Sequence, residues 1–187
     1  MQHRGKGQLL MIVDLRSVLH GPRYFNLTLE ADWWQGNGED DQIVGLDGPL
    51  EASLSIYRAG AEYLLEGRLS GRFRLKCGRC LEVYSHDLGC DFRVCLAPGP
   101  SDSGPSEVEL SEEDLSVDFV TEEQIDLDEI IREQIYLSLP MKCLCREDCP
   151  GLCPMCGADL NKAKCECQPE KGHPGFSKLR ALRLKGD

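Results

Sequence analysis

Cysteines are concentrated near the end of the 187-residue chain, and this concentration constrains the fold more than any other feature. Seven of the eleven cysteines lie between residues 142 and 168: Cys143, Cys145, Cys149, Cys153, Cys156, Cys165 and Cys167. The sequence Cys153-Pro-Met-Cys156-Gly157 is typical of a turn whose backbone N–H groups point at two thiolates. Two such thiolates can bind one Zn²⁺ ion, with zinc–sulfur distances of about 2.3 Å.

A structural zinc site requires four ligands, and the spacing leaves two choices for the second pair. Cys145 and Cys149 lie upstream, whereas Cys165 and Cys167 lie downstream. The pair that is not used, together with Cys143, is expected as free surface thiols. An iron–sulfur cluster is the alternative metal centre, because its ligands are also cysteines.

A smaller motif, Cys77-Gly-Arg-Cys80, lies between two stretches with a strand pattern. A thioredoxin-like redox motif would instead begin a helix of a βαβ unit. The motif therefore predicts a turn that brings together two buried or weakly metal-binding thiols. Cys90 and Cys95 lie in strand patterns and are expected as small core residues.

Residues 11–97 have the pattern of a β-rich domain, and a chain of this length can bury a core without disulfides. Leu50, Ala52, Leu54 and Ile56 alternate with polar residues, which predicts a half-buried strand. Further strands are predicted within residues 11–34 and at residues 69–76, 81–84 and 91–96, with turns at residues 36–41 and 58–61. Residues 1–10 lack any such pattern and are expected to be a mis-called extension before a start at Met11.

An acidic linker is predicted at residues 98–125 and a helix at residues 126–140. Apolar residues of the helix recur at i, i+3 and i+4 spacing, Asp126 is a suitable N-cap with Glu129 three residues later, and Pro140 ends the pattern. The predicted fold class is α+β. It comprises an antiparallel β-sheet or small open β-barrel packed by one or two helices, and a Cys-rich zinc-knuckle module with a basic tail at residues 141–187.

Charge is distributed unevenly along the chain, whose formal net charge is −11. Residues 101–133 contain thirteen acids and one base, whereas residues 171–187 contain five bases and one acid. The overall acidity argues against a general electrostatic binder of nucleic acid. The tail is either a solvated helix face or a contact for RNA or a partner through Lys178, Arg180, Arg183 and Lys185, with Arg180 and Arg183 exposed.

The sequence contains no recognisable catalytic motif: the Gly-rich phosphate loop, G-x-S-x-G and H-E-x-x-H are all missing. We therefore expect no enzymatic activity. No stretch has the roughly 7–15 apolar residues of an export signal or the about 20 of a membrane span. We expect a cytoplasmic protein, whose reduced thiols bind metal or perform redox chemistry.

Residues 126–161, DLDEIIREQIYLSLPMKCLCREDCPGLCPMCGADLN, resemble the YceD family, the large ribosomal RNA subunit accumulation proteins of bacteria and plastids. Cys77-Gly-Arg-Cys80 is similar to the family's Cys-x-Arg-Cys, and residues 149–157 are similar to its Cys-x-Gly-Leu-Cys-Pro-x-Cys-Gly. Residues 173–179 are similar to its Asp-Pro-x-x-x-x-Leu ending, with His173 where Asp is usual. The resemblance covers roughly residues 69–184.

The resemblance implies a cytoplasmic, non-enzymatic factor for the accumulation or processing of 23S ribosomal RNA. The implied partners are ribosomal RNA or ribosome-assembly proteins, with no DNA and no membrane. Some members lack the downstream Cys-x-Cys, which implies that a structural zinc ion is held by Cys145, Cys149, Cys153 and Cys156. Two alternatives stay open: a thiol-redox or metal-responsive regulator that uses Cys77 and Cys80, and a zinc-stabilised protein adaptor.

Overall fold

The structure, a computed structural model, describes residues 11–34, 42–98, 117–120 and 124–167. Within these residues the chain forms eight strands and one α-helix. They are β1 (Ile12–Asp14), β2 (Arg23–Leu29), β3 (Ile43–Leu46), β4 (Leu50–Ala59), β5 (Glu62–Lys76), β6 (Val83–Pro98), β7 (Val117–Val120), β8 (Gln124–Asp126) and α1 (Leu127–Ser138). Two 3₁₀ turns, Leu15–His20 and Ala31–Trp33, lie on either side of β2.

The main sheet has six strands and is built around the long β5–β6 hairpin. The strand order is β2-β4-β5-β6-β7, and β3 pairs with the part of β5 that β4 leaves free. The β6–β7 pair is parallel, and the other described pairs are antiparallel. Strands β1 and β8 form a separate two-stranded sheet. The hairpin therefore carries the Cys77–Cys80 turn at its end, between β5 and β6.

The alternating pattern of β4 places one face of the sheet in the core. Leu50, Ala52, Leu54 and Ile56 are all buried, which confirms the predicted strand. Leu65, Leu69, Phe73 and Leu75 of β5 extend the same apolar layer. The predicted turn between β4 and β5 is also present, and Gly60 adopts its positive φ of 68° there.

Helix α1 packs on this core as predicted. The Asp126 carboxylate accepts a hydrogen bond from the backbone N–H of Asp128 at 2.9 Å and caps the helix. Leu127, Ile131 and Ile135 are buried. The helix ends at Ser138, two residues before Pro140. No helix in the described residues is long and apolar enough to cross a membrane.

The predicted fold class is confirmed: the described chain is mostly antiparallel sheet with one helix and a C-terminal cysteine cluster. The strands predicted at residues 81–84 and 91–96 are one strand, β6, because the residues between them continue to pair with β5. Strand β7 lies within residues 98–125, the interval predicted as a linker, and β8 lies at the C-terminal edge of that interval. Residues 1–10, the turn at residues 36–41 and the basic tail lie outside the described residues.

Candidate metal centre

The turn between β5 and β6 carries two cysteines and is closed by backbone hydrogen bonds. The backbone N–H of Cys77 donates to the carbonyl of Glu82, and the N–H of Leu81 donates to the carbonyl of Cys77, each at 2.9 Å. Leu81 has a positive φ of 63°, a conformation that few non-glycine residues adopt. These bonds confirm the predicted turn and hold Cys77 and Cys80 side by side; both side chains are buried.

The C-terminal segment, residues 141–167, lies against this turn through backbone hydrogen bonds. The N–H of Gly78 donates to the carbonyl of Cys143 at 2.8 Å, and the N–H of Leu152 donates to the carbonyl of Arg79 at 3.0 Å. The Arg79 guanidinium also donates to the carbonyl of Cys149 at 2.8 Å. Arg79 therefore positions the segment from both its backbone and its side chain.

Four sulfurs meet where the turn and the segment touch. This first sulfur group consists of Cys77, Cys80, Cys145 and Cys149, whose Sγ atoms all lie within 4.8 Å of one another. The Cys77–Cys149 distance is 3.9 Å and the Cys80–Cys145 distance is 3.8 Å. Sulfurs arranged tetrahedrally around one ion at about 2.3 Å lie about 3.8 Å apart. The group therefore has the size of a site for a single metal ion.

Hydrogen bonds favour the ionised form of one sulfur in this group. Burial opposes ionisation of Cys77, but backbone N–H groups of Cys80, Cys145 and Arg79 outweigh it and lower its pKa to about 6. Burial and a hydrogen bond with Cys149 raise the pKa of Cys145 to about 12. A divalent cation bound by these sulfurs would take the place of their protons and offset half of the charge of four thiolates.

A second sulfur group lies within the C-terminal segment itself. Its members are Cys153, Cys156, Cys165 and Cys167, and their Sγ atoms also lie within 4.8 Å of one another. Backbone N–H groups of Cys156 and Met155 lower the pKa of Cys153 to about 6. The N–H of Gly157 donates to the carbonyl of Cys153 at 2.8 Å and closes the turn that the sequence predicts here. This group could also hold one metal ion.

The four cysteines selected from the sequence do not meet at one point. Cys145 and Cys149 join the β5–β6 turn, whereas Cys153 and Cys156 join the downstream pair Cys165 and Cys167. The upstream and downstream pairs considered as alternatives therefore both belong to a four-sulfur group, but not to the same one. The sequence motif Cys-x-Arg-Cys contained the missing signal, because Cys77 and Cys80 are the pair that completes the first group.

The remaining cysteines have separate environments. Cys143 is buried, with 1% of its surface exposed, and so is not the surface thiol that was expected. Cys90 is partly buried and packs against the core. Cys95 is also only partly buried, because its side chain lies on the opposite side of the strand from its buried neighbours Val94 and Leu96. Its thiol donates a hydrogen bond to the Glu62 carboxylate at 2.9 Å. The tail residues Lys178, Arg180, Arg183 and Lys185 lie outside the described residues.

The structure thus defines a class: an antiparallel β-sheet protein whose cysteine-rich C-terminal segment is hydrogen-bonded to a hairpin turn, with four sulfurs clustered at the contact. Residues 65–183 match the family model described as "Large ribosomal RNA subunit accumulation protein YceD". This match covers more than half of the chain and includes both sulfur groups. The chain belongs to the YceD family.

Curated relatives match most of the chain, and two of them carry the family's name. An uncharacterised protein of Mycobacterium tuberculosis is 32% identical, over 79% of this chain and 63% of its own length. The chloroplastic large ribosomal RNA subunit accumulation protein YCED homolog 1 of Arabidopsis thaliana is 26% identical over 72% of this chain, and that of Zea mays is 25% identical over 72%. The chain spans about half the length of these plant relatives, 49% and 53%. No solved structure matches the chain.

Proposed function

We propose that this protein is a non-enzymatic ribosome-biogenesis factor that promotes the accumulation or processing of large-subunit ribosomal RNA in the cytoplasm. The observation that carries the proposal is the family match over residues 65–183, which includes nearly all of the β5–β6 hairpin, α1 and both sulfur groups. Two plant relatives bear the name of large ribosomal RNA subunit accumulation proteins. The protein acts by contact with ribosomal RNA or with assembly proteins.

The proposed cofactor is structural zinc. All eight candidate ligands are cysteines, whose thiolates suit zinc, and the sulfur–sulfur distances of 3.8 and 3.9 Å in the first group fit one tetrahedral ion. A four-iron cluster would spread its four cysteines over separate iron atoms, so their sulfurs would lie further apart than these do. Elemental analysis of the purified protein identifies the metal, and iron in place of zinc would contradict this assignment.

Thiol-redox regulation through Cys77 and Cys80 is the less favoured function. Both thiols are buried, and each faces a sulfur of the C-terminal segment at 3.8–3.9 Å. Such an arrangement supports ligation of a metal rather than exchange with an external disulfide, which requires access to the attacking sulfur. Diamide treatment of the metal-loaded protein should leave both residues unmodified.

The role in ribosomal RNA accumulation is tested in the native host. Depletion of the protein should lower the ratio of large-subunit to small-subunit ribosomal RNA or should increase large-subunit precursors. Complementation with the wild-type gene should restore the ratio. In parallel, crosslinking of the tagged protein in cells should recover large-subunit RNA or its assembly proteins. An unchanged RNA ratio together with recovery of no ribosomal component would contradict the proposal.

The basic tail is proposed as the RNA contact. Reversal of charge by Arg180→Glu plus Arg183→Glu removes two cations that can neutralise phosphate, so RNA affinity should fall at least tenfold and depend less on salt concentration. The matched control is Arg23→Glu plus Lys142→Glu, which changes the net charge equally at two exposed positions outside the tail. Fluorescence anisotropy with a labelled large-subunit RNA fragment measures both variants. Equal losses in the two variants would exclude a specific role of the tail.

A further inference from the structure

The two sulfur groups differ in how far solvent reaches them. In the first group, Cys77, Cys149 and Cys80 are 0%, 1% and 4% exposed, and Cys145 is partly buried. In the second group only Cys153 is buried, whereas Cys156 and Cys167 are exposed. A chelator or a thiol reagent must reach a sulfur or the metal to compete for it. The second group offers that access and the first does not.

The groups also differ in which parts of the chain they connect. The first group joins a hairpin turn to the C-terminal segment, and its contacts link residues 65 and 72 positions apart. The second group lies wholly within residues 153–167. Closing a long loop removes more conformational freedom from the unfolded chain than closing a short one. An ion in the first group therefore stabilises the association of two distant parts, whereas an ion in the second orders one short segment.

Hydrogen bonds from outside the first group support its sulfurs. The backbone N–H of Arg79 donates to Cys77 Sγ at 3.5 Å, and the side-chain amide of Asn161 donates to Cys149 Sγ at 3.4 Å. Asn161 is itself held by the Asp159 carboxylate, which accepts from its amide at 2.7 Å. Donors of this kind fix the orientation of metal ligands and strengthen metal binding.

We propose that the protein binds two divalent ions of the zinc class with different roles: a slowly released clamp in the first sulfur group and a rapidly exchanging ion in the second. The first ion fastens the C-terminal segment to the β5–β6 turn. The second ion can leave without releasing that segment, because Arg79 and the first ion still hold it. This proposal rests on the metal binding proposed above and is independent of the role in ribosomal RNA accumulation.

Metal release from the full-length, zinc-loaded protein tests the proposal. The chelating dye 4-(2-pyridylazo)resorcinol reports each released zinc ion by its colour. Two ions should be released per chain, one in a fast phase and one in a slow phase at least tenfold slower. Release of a single ion, or of two ions at one rate, would overturn the proposal.

Paired variants assign the phases to the groups. Cys156→Ser plus Cys167→Ser should abolish the fast phase and leave one slowly released ion. Cys80→Ser plus Cys145→Ser should abolish the slow phase and expose the C-terminal segment to trypsin. If the fast phase survives in the first variant, or the slow phase in the second, the assignment is wrong.

Alkylation of the wild-type protein assigns the release phases to the two sulfur groups without relying on variants that must fold. During the fast phase, iodoacetamide followed by peptide mass spectrometry should modify Cys156 and Cys167 while Cys77 and Cys149 stay unmodified. The reverse order of modification would overturn the proposal. Absence of any bound metal would refute both the clamp and the zinc assignment, but it would leave the ribosomal RNA role to its own test in cells.

Discussion

Gly151 lies where the C-terminal segment crosses the β5–β6 turn, and its lack of a side chain permits the crossing. Its φ is 78°, and a Cβ at this position would lie 2.9 Å from the carbonyl oxygen of Arg79. That oxygen accepts the backbone hydrogen bond from Leu152, so it cannot move away without breaking the contact. Gly151→Ala should therefore destabilise the docked segment by about 2–4 kcal/mol, from the left-handed backbone and the overpacking together.

Gly157 provides the matched control for Gly151. Its φ is 73°, but a Cβ there would meet no atom within 4 Å. Gly157→Ala should cost only the backbone strain of about 1–2 kcal/mol. Hydrogen exchange of the backbone amides in residues 145–167 measures both effects. Equal losses of protection would show that the contact with Arg79 contributes nothing.

At the scale of the elements, the β5–β6 hairpin depends on a glycine opposite an aromatic ring. Gly67 pairs directly with Phe92, whose ring occupies the space where a Gly67 Cβ would be, and that Cβ would also lie 2.7 Å from Leu54 Cδ2. Gly67→Ala should therefore lower the free energy of unfolding by about 1–3 kcal/mol, because the ring must move. Urea denaturation measures the change.

Gly89 tests whether the effect comes from the ring or from the loss of a strand glycine. It lies in β6 of the same hairpin, and an added Cβ would meet nothing within 4 Å. Alanine is more favourable than glycine in a strand by roughly 0.5–1 kcal/mol, so Gly89→Ala should be neutral or slightly stabilising. If both variants lose the same stability, the close approach of Phe92 is not the cause.

Across the whole molecule, the apolar core and the cysteine cluster are distinct, and Tyr84 packs against both. The core is formed by the sheet, the 3₁₀ turns, α1 and Cys143, whereas Cys77, Cys80 and Cys149 form a second buried cluster with Leu144 and Cys145 packed against it. Removal of metal should therefore release residues 145–167 and leave the sheet folded, with Cys143 still in the core. Far-UV circular dichroism should retain its β-sheet signal after chelation.

Hydrogen exchange distinguishes this local release from global unfolding. After chelation, amides of residues 145–167 should lose protection, while those of β4 and β5 should keep it. Addition of zinc should restore the protection of the segment. Simultaneous loss of protection in β4 and β5 would show that the metal stabilises the whole fold and would contradict the separation of the two clusters.

Local sequence patterns were sufficient to predict the parts of the fold whose physics is local. The alternation from Leu50 to Ile56 predicts β4, and the Asp126 cap with its apolar spacing predicts α1; both are confirmed. The continuity of β6 could not be predicted in this way. Residues 85–90 have a weak strand pattern of their own, and their pairing with β5 supplies the hydrogen bonds that keep them extended.

The clustering of thiols near the C-terminus can be read directly from the sequence. So can the pairing of sulfurs in two Cys-x-x-Cys turns, because turn geometry depends on neighbouring residues. How the pairs combine depends on contacts between distant parts of the chain. Cys77 and Cys149 are 72 residues apart, and their sulfurs meet because the long hairpin brings its turn to the C-terminal segment. The spacing of cysteines in the sequence constrains only local turns, whereas a four-sulfur site depends on distances between sulfurs in the folded molecule.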